Sequence, residues 1–193
     1  MKGKSMLSAV LILACVTSGG MIANAEAFTK ANVTIYGGGI HFAEIPQDVD
    51  FGEITLDGLE ITKTSPMSLL SVVDARGTGD GWAVQISASQ FTDTTAAKRL
   101  AKGSLVLNKP VIAAGYNNPS ASPFIRQSFG MSQPIDGYGE IAFINADMEA
   151  GLGKWNFDWE GSDALKLTLN PGSTKIGTYE STITWTLITN PNP

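Results

Sequence analysis

The apolar residues of this chain come in short runs rich in Val, Ile, Thr and aromatics, each closed by Gly, Pro, Asn or Asp before it reaches helical length. Glycine alone supplies 21 of the 193 residues. Punctuation that dense restricts each run to the length of a strand, so the chain reads as all-β: an antiparallel β-sandwich or partly closed barrel with one short helix. Strands are expected at residues 33–36, 51–56, 59–63, 69–73, 82–89, 104–108, 139–145, 154–159, 165–169 and 178–188. Asp57-Gly58 supplies the positive φ angles of a two-residue hairpin turn between the second and third of these. Asn170-Pro171-Gly172 marks a second turn ahead of the last strand. The one helical signal lies at 94–103, where Thr94 caps an Ala- and Lys-rich turn that Gly103 stops. Residues 114–134, with Pro119, Pro123 and Pro134, read as an extended surface loop.

The N-terminus has Lys2 and Lys4, an apolar stretch over 6–16, and Ala23-Asn24-Ala25. That order is the pattern of a secretory signal peptide cleaved after Ala25, too short to span a bilayer and remain. A rival reading makes Ile12-Leu13-Ala14-Cys15 a lipobox with a lipidated Cys15. Cleavage after Ala25 leaves 193 − 25 = 168 residues as a single domain over 26–193, with 13 − 2 = 11 basic and 18 acidic side chains, a net charge of −7. Such a balance disfavours nucleic acid and anionic membrane surfaces. It also removes the only cysteine, so no disulfide or thiol chemistry is expected and stability must come from a packed core.

Two segments share a tryptophan followed two places later by an aliphatic residue: Trp82-Ala83-Val84, led by Asp74-Ala75-Arg76-Gly77-Thr78-Gly79-Asp80-Gly81, and Trp185-Thr186-Leu187, led by Tyr179-Glu180-Ser181. Val49-Asp50-Phe51-Gly52-Glu53-Ile54 precedes them as an opening segment. Together these features resemble the WxL domain of Gram-positive cell-surface proteins, over roughly 42–189. The first motif has valine where that family has leucine, which preserves the apolar pocket and bears on whether the two motifs are equivalent in binding. The resemblance implies a non-catalytic protein held to the wall non-covalently through peptidoglycan, with Trp82, Val84, Tyr179, Trp185 and Leu187 in the binding region. It further implies that Asp74, Arg76, Gly77 and Gly81 form the loop supporting the first motif.

Alternation alone gives a plainer account of the same residues. Trp82, Val84 and Ile86 share one strand face, and Ile183, Trp185 and Leu187 share another, so both tryptophans point with aliphatics and read first as core. Trp155, Phe157 and Trp159 also share a face, either as core or as an auxiliary carbohydrate-stacking strip. The acidic glycine run at 74–81 lacks the ligand spacing of an EF-hand and the Lys-Ser/Thr of a phosphate loop, so neither metal nor cofactor is expected.

No enzyme is expected either. His41 is the single histidine, and there is no Gly-x-Ser-x-Gly or His-Glu-x-x-His. Asp158, Glu160 and Asp163 read as a solvated rim rather than a glycosidase pair. The alternative to a wall-binding module is a subunit of a multi-protein surface assembly that docks other secreted proteins or host ligands through its β-edges or its Pro-rich loop.

Overall fold

A computed structural model describes residues 28–159, 161 and 163–189; the segment expected to be a signal peptide, with Cys15, and Glu160 lie outside them. The chain divides into two units, 1–34 and 35–193. Of the first, residues 28–34 are exposed coil. Among the described residues the second carries every strand: β1 (Ile40–Glu44), β2 (Ile61–Ser65), β3 (Leu70–Asp74), β4 (Trp82–Ala88), β5 (Thr92–Asp93), β6 (Leu105–Asn108), β7 (Val111–Ala114), β8 (Phe124–Ile125), β9 (Ser132–Pro134), β10 (Ile141–Ala146), β11 (Gly153–Asp158), β12 (Leu165–Leu169), β13 (Tyr179–Glu180) and β14 (Ile183–Thr189).

The protein is an all-β sandwich built of antiparallel sheets, with no closed barrel. Sheet β1-β3-β11-β7 and sheet β2-β12-β6-β9 have matching strand order. The register explains why. Phe157 pairs with Leu70 and Ile112, and Leu165 pairs with Ser65 and Leu107, so β2 and β3, β6 and β7, and β11 and β12 are successive halves of three long strands. The halves are separated at 66–69, 109–110 and 159–164. Pro66 and Pro110 sit at two of these breaks, where a residue without an N–H cannot continue a ladder. The result is one bent layer.

Sheet β14-β4-β10-β8 covers that layer, and β13 pairs with β5 beside it. Aromatic contacts cross between the layers: Trp82 meets Phe157 edge to face at 6.4 Å, and Trp185 meets Trp159 at 6.2 Å. The register of β10 on β4 slips between Ala142 and Ile144, leaving Phe143 as an extra residue that is fully buried. Such bulges redirect a side chain. Here the ring reaches Phe129 (4.6 Å), Trp185 (6.0 Å) and Trp159 (6.3 Å), making the aromatic centre of the core. Asp136 ties the layers together: fully buried, its carboxylate accepts the Leu105 N–H (2.8 Å) and the Ser104 hydroxyl (3.1 Å), while the neighbouring Ile135 carbonyl accepts the Ala88 N–H.

Several sequence expectations need correction. No α-helix is present among the described residues; residues 127–129 form a single 3-10 turn. At 94–103 the Asp93 N–H donates to the Lys98 carbonyl and Thr92 bridges Arg99, which closes a strand-like loop in place of the expected helix. Residues 51–56 are coil. Asp50 and Asp57 each accept an N–H two residues ahead, at Gly52 and Leu59, so the Asp-Gly turn forms but no strands pair across it. Residues 33–36 are unpaired and exposed. The expected surface loop at 114–134 instead contributes β8, β9, and the buried Ile125 and Phe129. Among the described residues no helix is long and apolar enough to cross a membrane.

Candidate functional site

The two tryptophan motifs lie on neighbouring antiparallel strands. Leu187 pairs with Val84, Trp185 with Ile86, and Thr189 with Trp82. Directly paired residues point to the same side of a sheet, so all five motif and flanking apolar residues face the opposing layer. Trp82 and Trp185 are offset by four residues along the strands, about 13 Å.

Their surroundings differ. β4 lies between β14 and β10, and its Trp82 and Val84 are completely buried. The Trp82 indole N–H donates to the Gly151 carbonyl at 3.1 Å, which satisfies its polar atom inside the protein. Gly151 has a φ of 71°, and a Cβ there would lie 2.7 Å from Trp82 Nε1, so the close approach needs glycine.

The turn before Trp82 is held from within. Asp74 and Arg76 form a two-pronged ion pair, Nε to Oδ1 at 2.9 Å and Nη2 to Oδ2 at 2.7 Å, with the Asp74 side chain fully buried. The same guanidinium donates to the carbonyls of Asp80 and Gly81, closing the turn from its far end. Its bond to Asp74 raises the Arg76 pKa against the cost of burial, keeping the group charged. Gly77 is left-handed at φ 69°, and a Cβ on Gly81 would fall 2.4 Å from the Ala146 carbonyl oxygen. All four loop residues thus build the approach to Trp82. No three His, Cys, Asp or Glu among the described residues are grouped to hold a metal ion.

Trp185 is only partly buried, as are Tyr179 and Leu187. Its ring packs on Phe143 and Trp159 and also lines a cleft of about 440 Å³ between residues 45–51 and the segment 179–185. Tyr179 and Glu180 line the same cleft, with the Tyr179 hydroxyl donating to the Lys175 carbonyl at 2.9 Å. Phe51, Phe91 and Leu165 add apolar floor, while Asp48, Asp50 and Glu180 bring carboxylates and no basic residue takes part. Leu187 and Val84 pack into the core outside the cleft.

Trp155 and Trp159 are core residues, 4% and 5% exposed, whose N–H groups donate to the Leu152 and Asn108 carbonyls. They offer no stacking strip. His41 is exposed on β1 and is not among the residues lining the cleft.

Residues 43–191 match the family described as WxL domain surface cell wall-binding. The chain belongs to the WxL family. No curated protein and no solved structure matches it. The match spans β2 to β14 and includes both tryptophan motifs, so the sandwich described above is a WxL domain and the protein is of the cell wall-binding surface class. Sequence reasoning placed Tyr179 and Trp185 in the candidate region but missed Asp50, Phe51 and Phe91, which meet Trp185 only through tertiary folding. The adjacency of Glu180 to Tyr179 was the one available signal for an acidic rim.

Proposed function

We propose that this WxL domain is a non-catalytic, secreted module that holds to the cell wall non-covalently through peptidoglycan, using the cleft beside Trp185. The carrying observation is the asymmetry of the two motifs: Trp82 is sealed in the core with its N–H satisfied, whereas Trp185 lines an open cleft with Tyr179. Aromatic and aliphatic surface in such a cleft suits sugar rings and peptide methyl groups. Asp48, Asp50 and Glu180, without a lysine or arginine among them, favour the amine-bearing stem peptide over phosphate-rich wall polymers. Processing after Ala25 would deliver the domain outside the cell, in keeping with this role.

Sedimentation with protein-free sacculi tests the reading. Wild type should pellet with sacculi and a folded Trp185→Ala variant should stay in solution. Equal pelleting of both proteins removes the cleft from the reading, and failure of both removes peptidoglycan.

A further inference from the structure

A segment near the start of the described residues is strand-like in sequence and without a strand partner. In 28–36, Phe28, Val33, Ile35 and Tyr36 are 88%, 82%, 85% and 86% exposed. Asn32-Val33-Thr34-Ile35-Tyr36 is rich in β-branched and aromatic residues, and alternation sets Val33 and Ile35 on one side with Thr34 on the other. Apolar side chains this exposed in a row of alternating character mark a surface built to be covered. The segment joins the sandwich through Gly37-Gly38-Gly39, where the Gly38 N–H donates to the Ala75 carbonyl at 2.7 Å and the Ala75 N–H to the Gly39 carbonyl at 2.8 Å.

A complementary surface lies at the other end of the chain. β14 is the edge of its sheet, paired with β4 alone. Its seven residues, Ile183-Thr184-Trp185-Thr186-Leu187-Ile188-Thr189, contain no charge and no proline. Sheet edges are ordinarily guarded by lysines, prolines or short length, because their free N–H and C=O groups template another strand. This edge has none of those guards.

We propose that the 31–36 arm of one molecule adds as a strand to the β14 edge of a second copy. Main-chain hydrogen bonds would supply the attachment, as in other strand additions. Val33 and Ile35 would continue the apolar face of Ile183, Trp185 and Leu187, while Thr34 would lie among Thr184 and Thr186. Donor and acceptor are different surfaces of one chain, so the contact is head to tail and builds rings or open chains according to the rotation between copies.

The test uses the secreted chain, residues 26–193, which contains no cysteine of its own. Thr34→Cys protein is mixed with Thr184→Cys or Thr186→Cys protein under air oxidation, and light scattering follows the unmodified chain with concentration. Expected are a disulfide-linked heterodimer in at least one mixture and larger species that grow with concentration. A Val33→Asp/Ile35→Asp variant, altered only at exposed side chains, should melt like wild type and lose those species. A free peptide of residues 28–36 should also disperse them. A monomer at every concentration with no cross-link at either position overturns the proposal, as does assembly that survives the arm variant. Rapid disulfide closure within one chain carrying both Thr34→Cys and Thr184→Cys also overturns it, by placing the arm on its own edge.

Discussion

Trp82 and Trp185 begin the same three-residue pattern, face the same side of the same sheet and differ by one strand position. β4 has neighbours on both sides, so Trp82 is sealed on every flank; β14 is an edge, so Trp185 keeps part of its ring at a cleft. Likeness of motif therefore does not carry likeness of role. One tryptophan is enclosed in the core and the other borders a cleft.

The largest expected effect that sharpens this contrast is at Trp82. Trp82→Ala removes a fully buried ring, its edge contact with Phe157 and its bond to Gly151, and should cost about 3–5 kcal/mol in denaturant unfolding. Wall retention would disappear with the fold. Next comes the turn that delivers Trp82: Arg76→Met leaves the buried Asp74 carboxylate without its counter-charge, an expected loss of about 3 kcal/mol by the same measurement. Arg76→Lys should recover only part of it, since a single ammonium cannot reach Asp74 and the carbonyls of Asp80 and Gly81 together.

At Trp185 the order reverses. Trp185→Ala should lower stability by about 1–2 kcal/mol, within the ordinary range for a partly buried site, while weakening sacculus binding at least tenfold, about 1.4 kcal/mol. A Trp185→Ala protein that unfolds like Trp82→Ala would break the comparison outright. Circular dichroism melts beside the sedimentation assay read both quantities.

The smallest effect concerns Asp93, on β5 against β13 beside the cleft-lining Tyr179. Hydrogen bonds from the Thr95 backbone and hydroxyl, then the Ala96 N–H and the Lys98 charge, outweigh desolvation and hold its carboxyl below the usual range. A lowered folded pKa gives stability that is complete above the unfolded value of about 4 and lost as pH falls through the folded value. Wild type should therefore lose melting temperature below about pH 4, and Asp93→Asn should show a flatter profile there. An identical profile in the two proteins would remove Asp93 from the acid response.

Much of the fold was legible because it rests on local alternation and on turns. The Leu165–Leu169 strand was read with its observed bounds, and the strands at Leu70–Asp74, Trp82–Ala88 and Leu105–Asn108 within one residue at each end. Residues 51–56 were equally strand-like, yet Asx turns at Asp50 and Asp57 hold the segment as coil, with Phe51 lining the cleft. The helix expected at 94–103 had its capping and propensity signals, and lost to the bridge between Thr92 and Arg99. Phe129 and Ile135, both fully buried, lay in or beside a stretch whose prolines and serines suggested only surface.

By itself the sequence determined the all-β class, the inward parity of both tryptophan motifs and the family to which they belong, because a period of two and a spaced motif are written in neighbouring residues. Only the tertiary structure decided which motif sits at an edge, how the long strands break into a bent layer, and that residues 45–51 come to face Trp185. Burial depends on how many strands flank a residue, and that number is set by pairings between segments distant along the chain, which no local pattern encodes.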